Sequence, residues 1–156
     1  MTSWVRLSTP VALVAAVTSP AYAMQYLSVA QAQKQAFPSA TSFAPLDSRA
    51  WKAQAGGTVL GLIVVDHVIG KHLYIDYSVA LDPSGRVKRV DILQYRESYG
   101  GEVRDASWLG QFVGKSSGSA LKVTQDIRNI SGATLSSYHV TEGVKRILAA
   151  YGNRAR

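Results

Sequence analysis

Cysteine is absent from all 156 residues. That absence excludes disulfides, cysteine zinc sites, iron–sulfur ligation and c-type haem attachment. Acidic residues are scarce too, with 10 Asp and Glu against 17 Lys and Arg and a net charge of +7. No block of like charge accompanies the imbalance; the densest cluster, Arg86-Val-Lys-Arg89, follows a turn and reads as a solvated strand face. Scattered charge of this kind, on a chain with an export signal, argues against nucleic acid. It is compatible with attraction to an acidic partner protein or an anionic leaflet. Two common nucleotide-binding patterns, Gly-x-Gly-x-x-Gly and the Walker loop, are missing. His67, His72 and His139 have no acidic or histidine companion at ligand spacing, which excludes an evident structural metal.

Long hydrophobic runs are lacking as well. The apolar stretch Val11-Ala-Leu-Val-Ala-Ala-Val17 is far short of the roughly 20 residues that a membrane helix requires. With Arg6 before it and Ala21-Tyr-Ala23 after it, residues 1–23 have the layout of a cleaved secretory signal. The alternative is an uncleaved anchor. Residues 24–156 are then expected to form a single domain, exported to the periplasm or associated with the outer face of the inner membrane.

What is present reads as an α+β chain. Ser28-Val-Ala-Gln31 is a capping box opening a short helix over 28–37, which Pro38 ends. Residues 38–46 read as loop, and Asp47 or Ser48 as the cap of a second short helix through Gln54. Thr58 to Val68, apolar and β-branched, suits a strand buried on both faces, with Gly61 marking a bulge or close approach. After a turn at Gly70-Lys71, residues 72–81 alternate as a half-buried antiparallel strand. Asp82-Pro-Ser-Gly85 is a strong turn, and Val87 to Tyr95 the returning strand. A short helix over 107–113 and a short strand at 121–124 follow. The expected architecture is an antiparallel meander packed with short helices, with a C-terminal helix following a hydroxyl-rich loop.

That loop is Asp126-Ile-Arg-Asn-Ile-Ser-Gly-Ala-Thr-Leu-Ser-Ser137. Val140, Val144, Ile147, Leu148 and Tyr151 then recur on one helical face. A helix start leaves backbone N–H groups unpaired and carries partial positive charge, a seat for phosphate. The plainer reading is that Ser136 or Ser137 caps the helix. Ser131, Ser136 and Ser137 lack a Gly-x-Ser-x-Gly elbow, so serine hydrolysis is a poor fit.

Asp126-x-x-x-x-Ser-Gly-Ala-Thr-x-Ser resembles the flavinylation motif of the FMN-binding domain family. That family includes the C subunit of the sodium-translocating NADH:quinone reductase and the G subunit of the Rnf complex. Glu97-Ser-Tyr-Gly-Gly101 is similar to its Glu-Thr-Pro-Gly-Leu-Gly loop, with Tyr99 where proline is usual. Trp108-x-x-Gln-Phe-x-Gly-Lys115 is similar to its Trp-x-x-x-Phe-x-Gly-Lys element. The resemblance implies that FMN is joined through a phosphoester to Thr134 by a flavin transferase that uses FAD. It implies access roles for Ser131, Gly132 and Ala133, with Ser136 beside them. Glu97, Tyr99 and Gly100 would line the isoalloxazine. Asp126 would serve transferase recognition or metal-assisted docking, although it also reads as an ordinary turn aspartate. Lys115 and Arg128 would offer charge to the phosphate or reduced flavin, or lie on the surface. Trp108 and Phe112 are core or flavin contacts.

The function implied is an exported electron carrier relaying electrons between redox partners, such as a membrane complex or a cytochrome. Two alternatives stand beside it: a non-catalytic assembly domain of a membrane redox complex, and a stand-alone flavin reductase.

Overall fold

The computed structural model describes residues 24–156, so the expected signal segment lies outside the described residues. The strands are β1 (Met24–Gln25), β2 (Ser42–Pro45), β3 (Ala50–Ala55), β4 (Thr58–Ile69), β5 (Tyr74–Leu81) and β6 (Val87–Tyr95). The α-helices are α1 (Val29–Ala36), α2 (Ala106–Leu109) and α3 (Thr134–Tyr151). All six strands form one sheet in the order β1-β6-β5-β4-β3-β2, every pair antiparallel. The expected meander is therefore present, extended by β2 and β3 at one side and by β1 at the other.

Each face of the sheet buries its own set of side chains. On one, Leu62, Val64, Tyr77, Val79 and Ile92 share a cluster with Val140, Val144, Ile147, Leu148 and Tyr151 of α3. On the other, Ile63, Ala80 and Leu93 pack with Ala32, Ala36 and Phe37 at α1. This second layer explains why Ser78 and Ala80 are buried, where simple alternation predicts solvent exposure. The Ser28 capping box forms as expected, with Ser28 Oγ accepting from the Gln31 N–H and Gln31 Oε1 accepting from the Ser28 N–H.

Several expectations need correction. Residues 50–55 are a strand, not a helix. Alanine, glutamine and lysine favour helix locally, but pairing with both β2 and β4 overrides that preference. Asp47 does not cap a helix; its Oδ1 accepts from the Arg49 N–H in the β2–β3 connection. Part of the expected loop, 42–45, is the edge strand β2. Gly56 and Gly57, both at positive φ, close the β3–β4 hairpin. Residues 121–124 make no strand beyond an isolated Val123–Ile127 bridge.

The long helix is locked to the sheet by close approach and by charge. A Cβ on Gly143 would lie 2.3 Å from Tyr77 Oη, so only glycine lets α3 settle over that ring. Asp66 of β4, its side chain 6% exposed, accepts from Arg49 at 2.9 Å and from Arg146 of α3 at 2.8 Å. Burial alone would raise the Asp66 carboxyl. The two guanidinium groups and the His67 N–H outweigh it and hold the group below its ordinary value.

Candidate functional site

The end of the sheet where β4 turns into β5 meets the start of α3. Helix α3 begins at Thr134, and no side chain caps it; Ala133 occupies the cap position. Ser136 and Ser137 therefore do not cap the helix but lie inside its first turn, both buried. Ser137 Oγ donates to the Ala133 carbonyl at 3.0 Å and accepts from the Ile130 N–H at 3.3 Å. The serine brackets the loop from within and leaves the outer end of the helix to solvent. The first N–H groups of such a helix have no intrahelical acceptor. Thr134 is exposed there, its Oγ1 accepting from Asn129 Nδ2 at 3.1 Å. Gly132, at φ +81°, has open space where a side chain would stand.

Facing this helix start are the loop after β6 and the β4–β5 turn. Tyr95 Oη donates to the Tyr99 carbonyl and lies 3.5 Å from Ser136 Oγ, tying the loop to α3. Gly100 has φ +84°, and a Cβ there would sit 2.8 Å from Tyr95 Oη and 2.9 Å from Ala133 Cβ. Gly100→Ala is expected to cost about 1–3 kcal/mol from backbone strain and crowding together, read as a lowered urea midpoint. Tyr99 is 86% exposed at the rim.

Glu97 points into the β4–β5 turn. Its Oε1 accepts from the His72 N–H and, at 2.7 Å, from the Leu73 N–H. Burial would raise this carboxyl, but the backbone N–H groups of Leu73, His72 and Lys71 outweigh that and lower it. The turn is held from the other side by His139, whose Nδ1 lies 3.0 Å from the Gly70 carbonyl.

These pieces enclose a cavity of about 490 Å³. Thr134, Gly132, Ala133, Ser136, Glu97 and Tyr99 line it, in agreement with the candidate set. Lys71, His72, Ser98 and Leu135 line it too, although the sequence motifs do not single them out. No local pattern marks Lys71 or His72, because the turn reaches the helix start only through the sheet. Gly100 borders the site through Ala133, while Ser131 is exposed beside Gly132.

Asp126 and Lys115 do not line the cavity. They pair with each other at 3.1 Å. Asp126 also accepts from the Leu121 N–H at 3.0 Å and the Lys122 N–H at 2.8 Å, so it closes the 121–127 turn. The Lys122 N–H is the largest influence on its carboxyl, which is lowered to about 2 despite some burial. A carboxyl lowered on folding adds stability above its unfolded value of 3.8 and loses it as pH falls through about 2. Denaturant midpoints should therefore fall between those two values, and Asp126→Asn should remove much of that pH dependence. Arg128 is exposed and bonds Gln111 and the Ser107 carbonyl. Trp108 and Phe112 are core residues, 4% and 0% exposed, with Trp108 Nε1 donating to the Arg128 carbonyl at 2.7 Å.

The cavity suits a phosphate-bearing aromatic ligand. Its volume lies in the range of small-molecule sites. One end offers an uncapped helix start and an exposed hydroxyl. Leu135 and the methyl of Ala133 flank that hydroxyl, and Tyr99, Glu97, Lys71 and His72 line the facing wall. FMN, with a phosphate at one end and a flat ring at the other, fits these groups. Among the described residues, no cluster of three or more acidic or histidine side chains could hold a metal, and no helix is long and apolar enough to cross a membrane.

Comparison with known proteins agrees with this chemistry. The crystal structure of Shewanella oneidensis NqrC matches with a TM-score of 0.50 at 16% identity, covering 84% of this chain and 76% of that one. At that identity the likeness concerns the fold. No curated protein matches. A profile of the FMN-binding domain matches residues 70–149, a span that runs from the β4–β5 turn through most of α3 and takes in every residue lining the cavity. The chain belongs to the FMN-binding domain family.

Proposed function

We propose that this protein is an exported electron carrier with FMN held through a phosphoester to Thr134. The observation that carries the reading is the setting of Thr134. Its hydroxyl is exposed at the first position of an uncapped helix, on the cavity wall, behind two small residues that leave an approach open. In the attachment, the Thr134 Oγ–phosphorus bond forms as the phosphoanhydride bond of FAD breaks. AMP leaves, and the hydroxyl proton is released.

Thr134 fixes the phosphate end, and the helix start favours the remaining negative charge by about 0.3–1 kcal/mol. Tyr99, Ala133 and Leu135 provide apolar surface for the ring. Bound FMN supplies reversible one- and two-electron chemistry, which no side chain here provides. A covalent bond makes occupancy independent of free FMN. A micromolar site, worth about −8 kcal/mol, would empty where the cofactor is dilute. Membership in the FMN-binding domain family supports a role as a redox subunit that hands electrons to a neighbouring protein, with a membrane complex as the natural setting.

Expression of residues 24–156 with and without a flavin transferase tests this. Yellow colour that survives denaturation only after co-expression supports the reading. Colour that washes out would indicate dissociable flavin, and no colour would indicate an assembly domain. Steady turnover of a small acceptor by the isolated protein would favour a reductase.

A further inference from the structure

We infer that Lys71 is the side chain that raises the reduction potential of the bound flavin, and that Glu97 is the positioning residue that holds Lys71 in place. The inference rests on the FMN reading of the cavity.

Three charged or titratable side chains line that cavity besides Tyr99: Lys71, His72 and Glu97. Proximity would suggest that Glu97 neutralises Lys71. The two make no ion pair, however; the Glu97 carboxylate is engaged by backbone N–H groups of the turn, at His72 and Leu73. Among the described residues Lys71 makes no ion pair, as is also true of Lys34, Lys88, Lys122 and Lys145. Lys71 is an exposed residue on the cavity lining.

The turn that carries Lys71 is fixed. The Gly70 N–H donates to the Leu73 carbonyl at 2.8 Å. Glu97 grips the far side, and His139 of α3 holds the Gly70 carbonyl. Gly70 leaves the room for this: a Cβ there would meet Glu97 Cγ and Oε1 at 3.1 Å. Glu97 thus fastens the loop carrying Tyr99 to the turn carrying Lys71, across the mouth in which Thr134 stands.

Reduction adds electrons to the flavin ring, so a nearby fixed cation favours the reduced state. Coulomb attraction in a partly enclosed site is several-fold stronger than in bulk water. Losing the Lys71 charge should weaken the preference for the reduced state by about tenfold, or about 30 mV for a two-electron couple.

The test uses the matured flavoprotein and an equilibrium redox titration, with intact mass confirming FMN on every variant. Lys71→Met should lower the potential by that amount, and Lys71→Arg should restore it. Glu97→Gln keeps an oxygen acceptor for the turn and should not lower the potential. Glu97→Ala releases the turn and should lower it. The double variant Lys71→Met, Glu97→Ala should fall no further than Lys71→Met, because both act through one ammonium. Fully loaded Lys71→Met with the wild-type potential overturns this inference and leaves the FMN reading standing. So does a double variant whose shift is the sum of the two singles. Wild-type protein that takes up no FMN overturns both.

Discussion

Thr134→Ala is expected to carry no covalent flavin after maturation, whereas Thr134→Ser keeps it. Alanine removes the only atom of that side chain that can form the ester. Serine retains the oxygen and loses a methyl group. The fold should hardly notice either change. Thr134 is exposed, and its side chain is held by the hydrogen bond from Asn129 at 3.1 Å. Removing that bond should cost no more than about 0.5–1.5 kcal/mol. Intact mass and thermal melting, run on the same preparations, separate loss of attachment from loss of folding. A variant that melts like the parent and carries no FMN mass is the expected outcome. Alanine protein that still carries the ester would mean another hydroxyl, with exposed Ser131 the first candidate.

The second large effect concerns the sheet. Gly61→Ala should destabilise the domain by about 3–5 kcal/mol, combining backbone strain with overpacking. Gly61 has φ +147°, and a Cβ would lie 2.1 Å from the Leu81 carbonyl oxygen and 2.8 Å from the Phe37 ring. The first obstacle is the backbone of β5, which cannot swing aside. The second is the residue that seats α1 on its face. The register of β3 against β4 shifts at this point, between Ala53 and Gln54, so the glycine sits at a bulge. Gly57→Ala is the control. Gly57 also has positive φ, +81°, but nothing lies within 4 Å of its added Cβ, so about 1 kcal/mol is expected. Urea unfolding of the two variants measures the difference. Equal losses would mean that strain alone matters and that the approach of β5 and Phe37 does not.

How much of this can be read from the chain follows from how local each signal is. Val87 to Tyr95 is legible to the residue, because the Asp82 turn precedes it and its apolar content is high. The buried face of α3 is legible from five apolar residues at helical spacing. Gly61 announces a bulge or close approach, because a glycine inside a β-branched run weakens a strand unless the backbone there needs the room. Residues 50–55 read as helix and fold as strand, because the local preference of Ala-Trp-Lys-Ala-Gln-Ala is overridden by two neighbouring strands.

The cavity divides in the same way. Thr134, Gly132 and Ala133 lie in one contiguous motif and are visible in the sequence. Lys71 and His72 lie far away along the chain and are not. Glu97 is expected from its loop to contact the flavin ring, yet its carboxylate is turned toward backbone N–H groups, a partnership invisible without the sheet. Asp126 closes a turn with Lys115, outside the cavity lining, so a part for it in maturation would be played from beside the site.

The most direct measurement is a peptide map of the protein after treatment with a flavin transferase and FAD. The account predicts that the peptide containing Ser131 to Ser137 gains the mass of FMN less one water, with fragmentation placing it on Thr134. An unmodified peptide, from protein treated alongside an acceptor that the same enzyme does label, would contradict it.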